Sequence, residues 1–292
     1  MTKCVTTFLF AALLAWPCPF RCDAAEVMIV ADTRLKPVAE IVAGLRKVLN
    51  TSLKIYSPDD VRGAALQRMV EREGARVVIA LGREALGEAL RLPPSVPMIY
   101  DMVVTPPATT RPNTAGFYMA TPAREYVNLA NAYLHSIRKI AVVGSREQLG
   151  ILAADTAPQT VSYNVRNAFE LVSTLRQIET ANAIMLLPDA SLLTTAAMEQ
   201  AYLLSFRRGI PLLGISERQV REGALLALVV DAPQVGKQIG EYAARALKTG
   251  TVGQPSPAPP RRFDLYVNTD TARRMGIRLP DELLRSAKRV YP

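Results

Sequence analysis

Short apolar runs alternate with amphipathic stretches from residue 27 to residue 267. The runs are four to six residues long and rich in Val, Ile and Leu, which is typical of strands buried on both faces of a sheet. We expect strands at 27–30, 53–56, 77–81, 96–100, 140–143, 160–165, 183–187, 210–214, 225–230 and 263–267. Apolar residues between the runs recur at helical spacing, as at Val38, Ile41, Val42 and Leu45. This alternation predicts an α/β protein with parallel sheets that are covered by helices.

Two loop-like stretches divide the alternation. Residues 105–112 are rich in Pro and Thr, and residues 250–260 contain four prolines. Such stretches mark loops or passages between domains, because Pro and the short polar residues favour turns over regular structure. The block before residue 105 and the block after residue 112 have the same character. The pattern therefore predicts two Rossmann-like α/β lobes.

The first 25 residues have the order of a secretory signal peptide. Lys3 supplies a positive start, residues 5–16 are almost wholly apolar, and Ala24 and Ala25 offer small residues for cleavage. The apolar run is shorter than the roughly 20 residues that span a bilayer, although a retained membrane anchor remains the alternative. We expect removal of residues 1–25 and a periplasmic protein.

Composition narrows the chemistry of the exported chain. The three cysteines, Cys4, Cys18 and Cys22, all lie in the signal segment, so the mature chain would have no disulfide, thiol nucleophile or cysteine-ligated metal. The formal charge is +9, but the basic residues are scattered singly or in pairs. A scattered distribution favours a solvated basic surface over a nucleic-acid interface.

The sequence contains no motif of a common catalytic site. It has neither a G-x-S-x-G elbow, nor a phosphate-binding G-x-x-x-x-G-K-[ST] loop, nor a G-x-G-x-x-G turn after the first strand. The sole histidine, His135, falls on a predicted helix away from the strand ends and is interpreted as structural. Asp32, Asp189 and Asp231 could act as paired acid–base carboxylates, but aspartates after strands also cap helices or hold ligands. We expect no enzyme activity, no metal and no cofactor.

Ligand contacts are expected where the strands end. Open α/β sheets bind ligands beyond the carboxyl ends of their strands, so residues that follow the predicted strands are the candidates. The candidate ligand-binding residues are Asp32, Gly82, Tyr100, Tyr118, Asp189, Ser191, Ser216 and Asp231.

The second half of the chain carries a recognisable series of motifs. A strand ending in Pro188-Asp189 is followed by Arg208-Gly209-Ile210-Pro211, by the Gly236 to Gly240 segment, and by the terminal block Asn268-x-x-Thr271-Ala272-x-x-x-Gly276. From about Pro97 to its end, the chain resembles the ABC-transporter substrate-binding protein family of the type 1 periplasmic binding fold, the branch that includes tryptophan-binding members. The chain departs from the family at Ala190-Ser191 and Ala232-Pro233, which leaves the ligand open.

The resemblance implies a three-crossing hinge between the lobes. It places residues 26–113 and 224–250 in lobe one, and residues 114–223 and 261–292 in lobe two. The implied function is a periplasmic solute-binding protein that captures a small organic molecule between its lobes and delivers it to the membrane permease of an ABC importer. A ligand-sensing module that acts on a membrane receptor kinase is the alternative, and an exported enzyme is a third reading. A repressor of the same fold would need a DNA-binding headpiece, where this chain has a signal peptide, so no nucleic-acid partner is expected.

Overall fold

The structure is a computed structural model that describes residues 26–107, 111–154, 156, 158–253 and 257–292. The predicted signal segment 1–25 and its cysteines lie outside the described residues. In the described part of the chain, no helix is both long and apolar enough to cross a membrane.

Lobe one is built on a five-stranded parallel sheet. Its strands stand in the order β2-β1-β3-β4-β5. Helix α1 and, later in the chain, helix α9 (Ala232–Thr249) cover one face, whereas α2 and α3 cover the other. The elements are β1 (Val27–Ala31), α1 (Lys36–Leu45), β2 (Leu53–Tyr56), α2 (Ala65–Glu73), β3 (Val77–Leu81), α3 (Arg83–Ala89), β4 (Met98–Asp101) and β5 (Thr114–Gly116).

Lobe two is built on a seven-stranded sheet in the order β12-β11-β10-β9-β8-β6-β7. Its pairings are parallel except for that between β10 and β11. The elements are α4 (Ala123–Tyr133), β6 (Ile140–Gly144), α5 (Arg146–Leu152), β7 (Thr160–Asn164), α6 (Ala168–Gln177), β8 (Ala183–Leu186), α7 (Thr195–Arg208), β9 (Leu212–Gly214), α8 (Glu217–Glu222), β10 (Leu226–Val230), α9 (Ala232–Thr249), β11 (Phe263–Asn268), α10 (Thr269–Arg274), α11 (Asp281–Ser286) and β12 (Arg289–Tyr291). Helix α9 is the exception in this series, because it packs on lobe one.

The described chain passes between the lobes at three places. It leaves lobe one after β5, returns after β10 to form α9, and leaves again after α9 to form β11. The first and third passages are joined, since Phe117 forms a bridge with Ala258. On the lobe-two side, the Thr121 hydroxyl donates to the Leu228 carbonyl at 2.8 Å, which ties the first passage to β10. The predicted two-lobed α/β fold with a multiple-crossing hinge is confirmed.

The passages do not fall at the expected boundaries. Residues 114–116, expected in lobe two, form β5 of the lobe-one sheet. Residues 224–230, expected in lobe one, contain β10, which pairs with β9 and β11 in lobe two. The physical reason is that an apolar strand fits either sheet equally well. Only its long-range pairing partners decide between them, and the local sequence does not specify those partners.

Helices α1 and α9 touch backbone to backbone through glycines. A Cβ atom added to Gly236 would lie 2.0 Å from the carbonyl oxygen of Ile41, and one added to Gly44 would lie 2.1 Å from that of Pro233. Glycine is therefore the residue that permits this close approach. The contact fixes the start of α9, and with it Asp231, beside the start of α1.

The terminal block of the sequence has a structural role in lobe two. Asn268 caps α10 by accepting from the Thr271 amide at 2.8 Å, and its own side-chain amide donates to the Val220 carbonyl at 2.8 Å. The Thr271 hydroxyl donates to the Gly223 carbonyl at 3.2 Å. The first of these hydrogen bonds is a local cap, and the other two join the end of β11 and α10 to the last part of α8 and to the residue after it, so the block stabilises the lobe.

Candidate functional site

The predicted ligand residues of lobe one have different surroundings. Asp32 is half-buried after β1 and accepts two hydrogen bonds from the Arg34 guanidinium, each at 2.8 Å. The Arg34 side chain thereby lowers the pKa of Asp32. Gly82 has a φ of 103° and begins α3, where its amide donates to the Asp101 carbonyl at 2.9 Å. Asp32 already has a cationic partner in this arrangement, and Gly82 serves a turn.

The two predicted tyrosines are core residues. Tyr100 is 2% exposed and packs with α2 and α3, while its ring fills the space that a side chain on Gly116 would need. Tyr118 is 5% exposed and belongs to the core of lobe two. Burial raises the pKa of both phenols. Their positions next to strand ends are as expected, but in this arrangement their rings face the interiors of the lobes.

The predicted residues of lobe two form local caps and turns. Asp189 accepts from the Ser191 amide at 2.9 Å and from its hydroxyl at 2.6 Å. Ser216 caps α8 and lines a groove between α7 and α8. Asp231 caps α9 by accepting from the Gln234 amide at 3.2 Å. No described hydrogen bond joins Asp32, Asp189 and Asp231 to one another, so the geometry offers no carboxylate pair among the three.

One cavity lies between the lobes and reaches the passages that connect them. Its volume is about 410 Å³. Lobe one contributes the first turns of α1 and α9, and lobe two contributes the ends of β9 and β10, the first half of β11 and the start of α8. The lining residues are Lys36, Pro37, Glu40, Met119, Ile215, Glu217, Val229, Val230, Asp231, Ala232, Pro233, Asp264, Tyr266 and Lys288. Of the eight predicted site residues, Asp231 alone is among those lining residues.

The cavity combines an apolar surface with charged groups that are mostly paired. Lys288 donates to Asp264 at 2.5 Å, and this hydrogen bond raises the pKa of Lys288. Glu217 accepts from the Tyr291 hydroxyl and from Arg289, and the tyrosine makes the largest contribution to lowering the pKa of that carboxyl group. Met119, Ile215, Val229 and the Tyr266 ring supply the apolar surface. Such a mixture suits a small organic molecule with a few polar groups.

The sequence did not indicate most of this lining. Met119 lies on the first passage between the lobes, Tyr266 lies inside β11, and Lys288 lies just before β12. None of these three residues follows a predicted strand end. Period-two alternation in β11 could have indicated that Tyr266 shares a face with Asp264, because alternate strand residues point to the same side. Nothing local indicates that this face borders lobe one.

Asp101 is a buried acidic residue at the end of β4 whose carboxylate has no hydrogen-bond partner among the described residues. It is 0% exposed. Burial raises its pKa to about 7, against a smaller opposing effect of the Met102 backbone amide. Met102 itself has a φ of 62°, in the left-handed region that non-glycine residues rarely adopt. An aspartate that ends an apolar strand was the signal available in the sequence.

The described residues contain no group of three or more His, Cys, Asp or Glu side chains arranged to hold a metal ion.

Comparisons with known proteins agree with the two-lobed architecture. The sequence profile of the ABC transporter substrate binding proteins matches residues 109–291, which is more than half of the chain. No curated protein matches the sequence significantly.

Several solved structures have the same fold. An ABC domain from Streptococcus pneumoniae in complex with L-Trp is 16% identical, with a TM-score of 0.57 over 91% of this chain and 99% of that one. The ligand-free, open structure of a substrate binding protein with adhesive properties from Clostridium difficile is 14% identical, with a TM-score of 0.63 over the same shares. A periplasmic ribose ABC transporter structure from Conexibacter woesei is 14% identical, with a TM-score of 0.52 over 87% of this chain and 96% of that one. At these identities the likeness shows the type 1 periplasmic binding protein fold.

Proposed function

Since this chain belongs to the ABC transporter substrate-binding protein family, we propose that it captures a small organic solute in the cavity between its lobes and delivers it to the membrane permease of an ABC importer. The observation that carries the proposal is that residues of both lobes and of the passages line a single cavity. A solute in that cavity contacts both lobes at once. It therefore favours the arrangement in which the lobes lie together, and a permease can recognise that arrangement.

The lining supports a solute that is partly apolar and partly polar. Asp231 uses one carboxylate oxygen to cap α9, and no described residue forms an ion pair with it. Its second oxygen can accept a hydrogen bond from the solute. Met119, Ile215 and the Tyr266 ring then contact the apolar part of the solute. The volume of about 410 Å³ accommodates a single small molecule.

We expect a cognate solute to raise the melting temperature without being consumed. A solute at a hundredfold excess over Kd adds about 2.7 kcal/mol to the free energy of unfolding, which corresponds to roughly 5–10 °C. The measurement is a thermal-shift screen of amino acids, small aromatic compounds and organic anions, followed by mass spectrometry of the recovered solute. Steady conversion of the hit into a product would contradict the binding-protein proposal.

The cavity is tested by the substitution Ile215→Trp, with Ile215→Val as its matched control. The indole fills space between the lobes that the solute needs, so the thermal shift caused by the hit should disappear. Overpacking at a partly open position costs about 1–3 kcal/mol, so the protein should still fold. Ile215→Val keeps the space and should keep the shift. An unchanged shift in folded Ile215→Trp protein would place the solute elsewhere.

We also propose that residues 1–25 are removed during export and that the mature protein acts in the periplasm. Trp16 is the only tryptophan, and the cysteines end at Cys22. Periplasmic protein should therefore show no tryptophan emission near about 340–350 nm and no titratable thiol. Tryptophan emission from this material, together with an intact mass of the full chain, would show that the segment is retained.

A further inference from the structure

The end of β4 is bonded to the first passage between the lobes. The Tyr100 carbonyl accepts from the Phe117 amide at 2.9 Å, and the Val103 carbonyl accepts from the Met119 amide at 3.1 Å. Asp101 lies between these two hydrogen bonds, and its own carbonyl accepts from Gly82 of the neighbouring strand end. A rotation of the lobes changes the backbone at the passages, because hinge segments absorb such motions. The surroundings of Asp101 are therefore coupled to lobe movement.

The alternation of β4 places Asp101 on the face of the lobe-one sheet that α1 and α9 cover. Ile99 packs in the cluster formed with α1 and α9, whereas Tyr100 packs in the cluster formed with α2 and α3. Because strand residues alternate between faces, Asp101 shares the α1 and α9 face with Ile99. The first turns of these two helices and Met119 form part of the cavity wall. On this face of the sheet, Asp101 is sealed from solvent.

Two energetically unfavourable features occur next to each other, at Asp101 and Met102. A buried carboxyl group without a hydrogen bond is unfavourable, since nothing replaces the water that it lost. The next residue, Met102, is one of two described non-glycine residues with a positive φ, the other being Asn113. Local costs of this kind persist where the surrounding structure enforces them, and they gather at switch regions. Their location beside a hinge passage suits a group whose surroundings differ between two lobe arrangements.

We propose that Asp101 is a proton-linked switch of lobe movement. Its carboxyl group carries the proton while the lobes are arranged as described, and it releases the proton to solvent when movement about the first passage exposes the group. The proposal rests on the lobe movement contained in the proposed function, but on no particular solute. Loss of the proton makes the buried position unfavourable and so favours the rearranged state.

Burial, and not a neighbouring charge, is the main cause of the raised pKa of Asp101. Its pKa of about 7 follows from desolvation, with the Met102 amide as the opposing influence. The titratable neighbour that it affects is Tyr100, whose pKa rises mainly through burial and further through the Asp101 charge. The charged residues near the starts of the surrounding helices are not among the causes of this shift; they are Lys36 and Glu40 on α1, Arg83 and Glu84 on α3, and Asp231 and Lys237 at the start of α9. A pH response of the lobes therefore points to Asp101 itself.

The test measures the distance between the lobes without any solute. Nitroxide labels are placed on Arg68→Cys in α2 and Gln200→Cys in α7, two exposed positions on different lobes, in a chain whose native cysteines are replaced by serine. Distance distributions are recorded by electron spin resonance at about pH 5 and about pH 9, below and above the titration of Asp101. We expect one distance population at the lower pH and a second population at the higher pH. The substitution Asp101→Asn keeps the group neutral and should leave the low-pH distribution at both values.

Each result decides for or against the switch. A wild-type distribution that does not change with pH overturns the proposal, and so does an Asp101→Asn variant that changes as the wild type does. Asp59→Asn alters an exposed carboxylate of lobe one and should keep the wild-type response. If Asp101→Asn fails to fold, Asp101→Ser supplies a second neutral side chain for the same comparison. Solute binding is measured separately by thermal shift, so failure of the switch and failure of the binding function are distinguishable.

Discussion

We expect the substitution Gly236→Ala to destabilise the protein by about 3 kcal/mol or more. The new methyl group would lie 2.0 Å from the Ile41 carbonyl oxygen and 3.0 Å from the Gly44 Cα atom. Both are backbone atoms, so no side-chain rotation relieves the overlap and the two helices must separate. For a chain of this size, such a loss lowers the melting temperature by on the order of 10 °C. Thermal unfolding monitored by circular dichroism measures it.

Gly87→Ala and Gly150→Ala are matched controls within the same protein. Both glycines lie inside helices, and an added Cβ atom would have no neighbour within 4 Å. Alanine has the higher helix propensity, so each control should gain roughly 0.5–1 kcal/mol. If Gly236→Ala melted at the wild-type temperature, the close contact of α1 and α9 would not exist. Because α9 carries Asp231 to the cavity, we also expect Gly236→Ala to weaken solute binding.

The second large effect is on the pH dependence of stability. The pKa of Asp101 in the folded protein is about 7, above the ordinary aspartate pKa of 3.8. Between these values the folded protein holds a proton that the unfolded chain releases, so the free energy of unfolding falls as the pH rises through this window. The full loss is roughly 4 kcal/mol, because each pKa unit corresponds to about 1.4 kcal/mol. Above about pH 7, Asp101 causes no further decrease in the free energy of unfolding.

Asp101→Asn should remove this contribution. Urea unfolding of the wild type and the variant between about pH 4 and pH 8 measures the difference in free energy at each pH. As the pH rises, the free energy of unfolding of the variant should increase relative to that of the wild type. This trend holds even if the buried amide lowers the stability of the variant by the same amount at every pH. Asp32→Asn is the control of opposite sign, since Arg34 lowers the pKa of that half-buried carboxyl group. Parallel pH profiles of wild type and Asp101→Asn would show that Asp101 does not titrate in the folded protein.

The sequence alone predicted the fold class because strand and helix periodicities are local properties. Apolar runs such as those of β1 and β3 are five residues long and become fully buried, as their composition indicates. The restart of the alternation after residue 112 predicted a second lobe for the same reason. The capping roles of Ser216 and Asp231 also follow from short-range chemistry, since each side chain accepts from an amide three residues later.

Tertiary structure decided what depends on residues that are distant in sequence. Strand β10 joins lobe two and α9 joins lobe one, although they are neighbours in the chain. The cavity forms because Met119, Asp231 and Tyr266 meet from different segments. Local pattern determines which face of an element is apolar, whereas the partner of that face is set by the packing of the whole chain. For the same reason, position at a strand end did not show that Tyr100 is a core residue or that the neighbouring Asp101 has no hydrogen-bond partner among the described residues.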